Sequence, residues 1–429
     1  MSGWTNLQLR TLILCFILNM LDGADVLVVS FVAPVLTSEW GVSDAVFGLV
    51  FSSGLAGMTL GALFLAPFAD VWGRKALILV ATTVIGSGMV ASAFVSSVPE
   101  LVVLRFWTGL GIGSMLASVT ALASEFAPER YRAFAVTTAT AGYPAGATLA
   151  GLAGGWIIPE LGWQGMFITV GLCSVLILPV IMLLLPESVE FLLARQPRRA
   201  LARVNGYLAA QGLTTLSELP PQCSSARSSA SRPPISHLVR PDLRLGTLLV
   251  WGAFFASFFT LYFLTSWGPR IAVEAGYPLA VAINGSAVFN IGAFIGLVGL
   301  GWFAARLELA KLIAGFFLLS AATMIVFGAW HKPETAFFTG MLVIGFLVQG
   351  GFGGLYAIAA RLYPTEIKTT GVGWAIGIGR LGAVAGPIVG GLAIEAEFSL
   401  LASFTLFAVP MVIAALLTVW LARTSLRAA

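Results

Sequence analysis

Four charged side chains lie within long apolar stretches of the sequence, where a charge is unfavourable. They are Asp22, Asp25, Arg105 and Arg380, two acids and two bases whose formal charges cancel. A charge at the centre of a lipid bilayer costs roughly 2.5–3.5 kcal/mol on insertion scales, so each of the four needs a partner or a watery cavity. If the apolar stretches cross a membrane, these residues are candidates for a functional site inside it.

The two aspartates are three residues apart, which places both on one face of a helix. Two carboxylates this close repel each other, and this repulsion favours protonation of at least one of them. A buried carboxyl that exchanges its proton near neutral pH can act as a proton carrier, and the interiors of the predicted spans offer no His, Lys or Glu for that task. The alternative is that the aspartates only cap a local helix break at Gly23 or pair with an arginine.

The composition excludes an ordinary water-soluble protein. Of the 429 residues, 58% are hydrophobic and only 10% are charged, whereas soluble proteins average about 25% charged residues. The three cysteines are too few and too scattered for a disulfide framework or a Cys-rich metal site, and no metal site is expected. The chain is therefore predicted to be an all-α membrane protein in a lipid bilayer.

The apolar runs predict twelve membrane-spanning helices, since a span needs about 20 apolar residues. The predicted spans lie near 10–36, 45–69, 76–96, 100–123, 133–157, 164–185, 246–269, 279–304, 311–329, 335–360, 368–394 and 399–422.

The basic residues indicate the orientation. With both termini in the cytoplasm, all but four of the 23 Lys and Arg residues fall in cytoplasmic segments; two of the exceptions are the intramembrane arginines, and only Arg270 and Lys332 lie outside. This asymmetry follows the positive-inside rule and predicts a multi-pass protein of the inner (plasma) membrane. The net charge of +4 is explained by loops that face anionic lipid, so no nucleic-acid partner is expected.

A polar stretch divides the chain into two halves. Residues 1–186 and 246–429 are each predicted to form a six-helix bundle, and 187–245 a cytoplasmic linker with short amphipathic helices near 188–212. An internal repeat supports this division, because 124–155 overlays 360–391 at a constant offset of 236. Parallel repeats of this size are typical of transporters whose two halves rock about a site at the middle of the bilayer.

Glycines recur every four residues in three of the predicted helices. Such spacing leaves a bare strip on one helix face, along which a neighbouring helix can approach closely. Static packing and sliding contacts are both compatible with it. The strips are Gly109/Gly113, Gly142/Gly146, Gly373/Gly377 and Gly382/Gly386/Gly390.

Several motifs resemble those of a known family. The run APFADVWGRK at 66–75 resembles the loop signature of the major facilitator superfamily, and RFWTGLGIG at 105–113 resembles its fourth-helix arginine motif. The runs LDGAD at 21–25 and YPTEIKTTGVGW at 363–374, followed by GRLG at 379–382, are similar to the aromatic acid:proton symporter family within it. The resemblance implies the major facilitator fold and the import of benzoate-type acids.

The sequence departs from the family pattern at several positions. Ala66 and Val71 replace a usual Gly and a usual basic residue of the loop signature, and Ala305 replaces the acid in its second copy. After the arginine motif, Leu116-Ala117-Ser118 stands where the family often has a Pro-Asn pair. Because this last change lies in a helix expected to line the pore, it bears on the identity of the substrate rather than on the fold.

The resemblance also suggests roles for charged residues. Arg105 is expected to lie near the aspartates and bias their protonation, with a polar clamp between helices as the alternative. A further set is expected to form a gate at the cytoplasmic side, although these charges could also mark topology alone. The set comprises Asp70, Arg74, Lys75, Glu125, Arg130 and Arg132.

Arg380 is the predicted ligand of the substrate anion, because a guanidinium can hold a carboxylate through two parallel hydrogen bonds. In the empty protein it could instead form a salt bridge to an aspartate of the first half, which the substrate would displace. Among the many aromatic residues of the second half, Tyr262 and Trp374 are the candidates for stacking on a substrate ring. Asn284 could bind the substrate's polar groups or a neighbouring helix.

Together these features predict a proton-coupled secondary transporter, expected to be a monomer, that imports a small, aromatic carboxylate by alternating access. No catalytic residue and no cofactor apart from the coupling proton is expected, since the chain has only two histidines, in different loops, and no nucleotide-binding motif. A non-aromatic acid such as muconate or a quinate-like acid is an alternative substrate. A transporter-like substrate sensor is an alternative function.

Overall fold

Helices make up nearly all of the computed structural model, which describes residues 4–210, 214–220, 238–241, 243–304, 306–363 and 367–424. The helices are α1 Asn6–Trp40, α2 Asp44–Leu60, α3 Ala69–Trp72, α4 Arg74–Ser92, α5 Val98–Phe126, α6 Arg132–Leu184, α7 Val189–Arg195, α8 Ala200–Ala210, α9 Arg244–Glu274, α10 Leu279–Ala304, α11 Leu309–Ala329, α12 Glu334–Leu362, α13 Lys368–Glu395 and α14 Leu400–Thr424. A π turn at Gly61–Leu65 and a 3₁₀ turn at Ala66–Phe68 join α2 to α3, so that Asp44–Trp72 crosses as one span.

The longest helix is two spans in sequence. The 53 residues of α6 would extend about 80 Å as one straight helix, far beyond the roughly 30 Å of a bilayer core. Gly162 interrupts it with φ 69° and ψ −180°, a backbone conformation that only glycine adopts without strain. With α6 divided there into 132–161 and 163–184, the eleven span-length segments of the described chain become the twelve that the sequence predicts.

The two halves repeat the same helix pairings. In the first half α1 packs on α6, α2 on α5, and α4 on α6. In the second half α9 packs on α13, α10 on α12, and α11 on α14. Since α9 occupies the place of α1, and α13 that of the first part of α6, the arrangement is the pseudo-symmetric pair of bundles expected for the major facilitator fold.

Glycine strips account for the closest of these contacts. A Cβ atom at Gly142 or Gly146 would overlap backbone atoms of α1, one at Gly109 or Gly113 those of α2, and one at Gly382 or Gly386 those of α9. The predicted close approach is wrong for Gly373 and Gly377, which have open space beside them in this conformation.

The linker is described only in part. Helices α7 and α8 lie where short amphipathic helices are predicted, and Leu192 of α7 packs with Ala200 and Val204 of α8. The exact boundaries of the three regions remain a prediction. Several positions used above lie outside the described residues: Cys223, which is one of the three cysteines, Ala305, Pro364, Thr365, Glu366, and the side chain of Lys368.

The two ends of the helical assembly differ. We call the end where α2 begins the Asp44 end, and the end where α4 begins the Arg74 end. Ser52 of α2 donates a hydrogen bond to the Val384 carbonyl of α13 at 2.7 Å, and the Phe51 and Trp267 rings meet edge to face at 5.1 Å. Within the described part of the chain, the ion pair and side-chain hydrogen bonds that join the two halves all lie toward the Asp44 end. The assembly is thus closed at the Asp44 end.

Candidate functional site

The four intramembrane charges all lie inside the protein. Asp22 and Asp25 of α1 are 2% and 1% exposed, and Arg105 of α5 is 4% exposed. Arg380 of α13 is half-buried and faces Asp22 of the other half. The four residues form two clusters, each of which pairs one aspartate with one arginine.

The first of these, the Arg105 cluster, lies entirely within the first half and comprises Asp25, Met89, Arg105, Phe167 and Ser174. Arg105 Nη2 donates to Met89 Sδ at 2.7 Å, and Nη1 donates to the backbone carbonyl of Asp25 at 3.4 Å. Its guanidinium carbon lies 5.5 Å from the centre of the Phe167 ring, within the range of a cation–π interaction.

The carboxylate of Asp25 is enclosed but incompletely bonded. Arg105 acts on it electrostatically without forming an ion pair among the described contacts, and the Ser174 hydroxyl faces it. Asp25 Oδ1 and Arg105 Nε have no hydrogen-bond partner in the described chain. Buried polar atoms without partners are costly, so this carboxyl is poised to gain a proton or a water molecule.

The second cluster, the Arg380 cluster, spans both halves and comprises Asp22, Tyr143, Tyr262, Tyr356 and Arg380. The charge of Arg380 acts on Asp22 and on all three phenol groups, and Asp22 acts on Tyr143 and Tyr262. Helices α1 and α6 supply two of these side chains, and α9, α12 and α13 supply the others. The cluster therefore holds an acid of one half against a base of the other.

A small cavity of about 40 Å³ lies beside the Arg105 cluster. Its lining includes Asp25, Arg105 and Thr108 of the first half and Tyr262 and Ser266 of the second. A volume of this size admits a few water molecules. Since Tyr262 belongs to the Arg380 cluster, the cavity connects the two clusters through groups that can hydrogen-bond to water.

Aromatic side chains of α9 and α12 form a wall next to Arg380. The Phe258 ring stacks on Tyr262 at 5.8 Å and meets Phe352 at 4.7 Å, and Phe254 meets Tyr356 at 5.3 Å. A Cβ atom at Gly379, adjacent to Arg380 in the chain, would touch Phe254 and Phe258. Phe254, Phe258 and Phe352 are 0%, 5% and 7% exposed, so they pack behind the partly exposed Tyr262 and Tyr356, which are the rings of this wall that a ligand beside the guanidinium can reach.

Two predicted substrate residues lie away from this cluster. Trp374 is 37% exposed and its ring lies 6.2 Å from that of Trp251, nearly two helical turns from Arg380 toward the Arg74 end. Asn284 of α10 lies against Gly155 of α6, at a contact between the two halves. The structure brings neither side chain to Arg380.

Sequence reasoning overlooked Tyr143 and did not select Tyr356 among the aromatic residues. Tyr143 follows the first glycine of the strip at Gly142 and Gly146, and a Cβ atom at Gly23 would overlap its backbone carbonyl. Because that strip packs on the helix that carries the aspartates, its tyrosine could have been inferred to lie beside them.

Three of the six predicted gate residues form a network at the Arg74 end. Arg74 pairs with Glu125 and, at 3.0 Å, with Glu190 of α7. The backbone nitrogen of Lys75 donates to Glu187 Oε1 at 3.0 Å, and its ammonium donates to the Met182 carbonyl. All of these residues belong to the first half and to the start of the linker, so the network does not join the two halves.

The other three predicted gate residues lie outside this network. The exposed Asp70 contributes its backbone carbonyl, which accepts from Arg195 Nε at 3.0 Å. Arg130 lies over the Tyr131 ring at 5.7 Å, and Arg132 is exposed.

A salt bridge between the halves lies at the Asp44 end, and sequence reasoning gave it no role. Arg270 Nε and Nη2 donate to the two carboxylate oxygens of Asp44 at 2.9 and 3.0 Å, in the bidentate arrangement that arginine favours. Arg270 also pairs with Glu274 at 3.0 Å. One feature of the sequence could have identified this salt bridge: Arg270 is one of only two basic residues on the predicted outer side of the membrane.

Comparisons with known proteins agree with this architecture. The sequence profile of the Major Facilitator Superfamily matches residues 15–346. The gallate transporter of Pseudomonas putida is 34% identical over 95% of this chain and 90% of its own, and the 4-hydroxybenzoate transporter of that organism is 35% identical over 88% and 84%. The inward open structure of the Escherichia coli xylose transporter matches with a TM-score of 0.74 over 96% of this chain and 95% of that one, at 15% identity, a likeness of fold alone. The chain belongs to the Major Facilitator Superfamily and, within it, to the aromatic acid:proton symporter family.

Proposed function

We propose that this membrane protein imports a small aromatic carboxylate together with protons, by alternating access. The observation that carries the proposal is the Arg380 cluster, in which a guanidinium of the second half faces a carboxylate of the first beside an aromatic wall. The relatives named for gallate and 4-hydroxybenzoate support an aromatic acid as substrate. The protein acts as a monomer in the inner membrane, with both termini in the cytoplasm.

The Arg74 end faces the cytoplasm in this proposal, because the basic residues cluster there. The conformation described, which is closed at the Asp44 end, is then the inward-facing one. Arg270 and Asp44 hold the outer entrance shut. The Arg74 network would keep the cytoplasmic ends of the first-half helices together when the cytoplasmic side closes.

The cycle follows from the charges. In the outward-facing state a proton binds to an α1 aspartate, and Arg380, released from Asp22, binds the substrate carboxylate. Adding an anion and a proton together leaves the interior charge unchanged, so the site can be closed without an added net charge in low dielectric. Protonation and substrate binding thereby favour the closed and inward-facing states over the outward-facing one. A ligand can drive a conformational change only through such a difference in binding free energy between states. The higher pH of the cytoplasm then releases the proton.

Proteoliposomes provide the test. With an inward proton gradient, the purified protein should accumulate labelled 4-hydroxybenzoate and acidify the lumen. Dissipating the gradient with an ionophore should leave only equilibration. Muconate and quinate, the non-aromatic alternatives, should compete weakly if at all. Uptake that ignores the gradient would refute the coupling, and preferred uptake of muconate or quinate would refute the aromatic substrate.

A further inference from the structure

Three tyrosines surround the proposed carboxylate ligand from three different helices. Tyr143 lies on α6, Tyr262 on α9 and Tyr356 on α12, and each phenol interacts electrostatically with Arg380. Tyr262 also interacts with each of the other two phenols. The three hydroxyl groups therefore lie around one region of the site, contributed by both halves of the protein.

None of these three hydroxyl groups has a hydrogen-bond partner among the described residues, although each side chain is only partly exposed. Two other tyrosines are bonded: Tyr277 donates to the His331 carbonyl at 2.7 Å, and Tyr207 accepts from the Glu187 backbone nitrogen at 3.0 Å. The buried Tyr363 hydroxyl also lacks a partner in the described part of the chain, but it is not among the phenols on which Arg380 acts. A phenol in an apolar site normally finds a partner. Three free phenols around one guanidinium therefore point to polar groups of a ligand.

The chemistry of the surroundings identifies those groups. Arg380 is the group suited to the carboxylate, and the partly exposed rings of Tyr262 and Tyr356, which pack on Phe258 and Phe352, supply apolar surface next to it. The remaining polar features of a ring that binds there are its own hydroxyl substituents. A tyrosine hydroxyl both donates and accepts, so it suits a phenolic hydroxyl, which does the same.

We propose that Tyr143, Tyr262 and Tyr356 hydrogen-bond to ring hydroxyl groups of the substrate and so select hydroxylated aromatic carboxylates over unsubstituted benzoate. This inference rests on the proposed function and specifies its substrate class. Selectivity follows because a site built to bond a substrate hydroxyl disfavours the analogue that lacks it, whose binding leaves the site's polar groups unpaired.

Single Tyr→Phe variants test the proposal, since each removes one hydroxyl and keeps the ring. Initial rates of uptake into proteoliposomes are measured for benzoate, 3-hydroxybenzoate, 4-hydroxybenzoate and 3,4,5-trihydroxybenzoate. The wild-type protein should prefer at least one hydroxylated acid over benzoate by more than tenfold. At least one of Tyr143→Phe, Tyr262→Phe and Tyr356→Phe should lower this preference by about 3- to 10-fold, the effect of losing one hydrogen bond, because uptake of the hydroxylated acid should fall by a larger factor than uptake of benzoate.

Tyr277→Phe is the matched control. It removes the hydroxyl of a partly buried tyrosine of the second half, and this hydroxyl donates to a backbone carbonyl outside the site. Its preference should equal that of the wild type. Ligand-induced quenching of tryptophan fluorescence in detergent gives dissociation constants for the same acids, and so tests any variant that binds but does not transport.

The outcomes separate this inference from the function on which it rests. If the wild-type protein takes up benzoate and the hydroxybenzoates equally well, the proposed function stands and the selectivity is refuted. If the variants lose all four acids by the same factor, the tyrosines serve the carboxylate and the proposal is wrong. If the wild-type protein neither binds nor transports any of the acids, the proposed function itself fails.

Discussion

The Arg105 cluster and the Arg380 cluster use the same two side-chain types in different surroundings. The first is enclosed within one half, where Met89 and Phe167 cover the guanidinium. The second spans both halves, and Arg380 remains partly exposed. Rocking the halves therefore changes the distance between Asp22 and Arg380 but leaves Asp25 beside Arg105.

This difference divides the work between the two aspartates. In the proposed cycle, Asp25 keeps constant neighbours and is suited to hold the coupling proton, whereas Asp22 would compete with a substrate anion for Arg380. The two clusters remain linked, because the charges of Asp22 and Asp25 act on each other. In the proposed cycle, a change at the substrate site would therefore reach the proton site through one turn of α1.

Displacing α1 should disrupt both clusters and give the largest effect. A Cβ atom at Gly23 would overlap the Tyr143 carbonyl, so Gly23→Ala must shift α1 between its two aspartates. Overpacking of this kind costs about 1–3 kcal/mol. We expect a lower melting temperature in a thermal-shift assay and no measurable uptake. Gly377→Ala, which points into open space, should behave as the wild type; equal effects of the two substitutions would show that this contact does not position the aspartates.

Asp25→Asn should abolish accumulation and spare exchange. The amide has the shape of the acid but cannot release a proton, so uptake should no longer respond to a proton gradient or to pH. Counterflow of labelled against unlabelled substrate should persist, because the Arg380 cluster is intact. Asp22→Asn is the comparison variant. Because Asp22 faces Arg380, this substitution should change the half-saturation concentration for substrate, which Asp25→Asn should leave nearly constant. Full accumulation by the Asp25→Asn protein would remove Asp25 from the proton pathway.

Arg380→Lys should weaken substrate binding roughly 10- to 100-fold, because lysine keeps the charge but loses the planar, bidentate donor pair. The half-saturation concentration for uptake should rise, with coupling to the proton gradient retained. Arg105→Lys should instead alter the pH dependence of uptake at nearly constant half-saturation concentration. If both variants shift the same parameter, the two clusters do not have separate tasks.

Asp44→Asn should have the smallest effect. The Arg270 salt bridge at the Asp44 end is partly exposed to solvent, and such pairs contribute about 0–1 kcal/mol. We expect a few-fold increase in labelling of an introduced Ser52→Cys thiol by a membrane-impermeant maleimide added outside. Glu308→Gln, which removes an exposed pair with Lys311 at the other end, is the control; unchanged labelling in Asp44→Asn would mean that the salt bridge does not keep this end closed.

The apolar runs of the sequence were sufficient to predict the membrane spans and to identify the charged residues within them. A run of about 20 apolar residues must form a helix in lipid, because no water is available to satisfy its backbone. The positions of Asp22, Asp25, Arg105 and Arg380 followed from the same property, since a charge in such a run is conspicuous. The break at Gly162 was likewise predicted as the gap between two apolar runs.

The tertiary structure decided which of these residues meet. Sequence spacing places Asp22 and Asp25 on one face of α1, but the rotation and tilt of α5 and α13 determine that one faces Arg105 and the other Arg380. The same geometry brings Tyr143 and not Trp374 to the site. It also closes the Asp44 end, leaving Gly373 without a neighbour. These outcomes depend on the packing of helices distant in sequence, and an apolar run carries little information about which of its faces turns toward which partner.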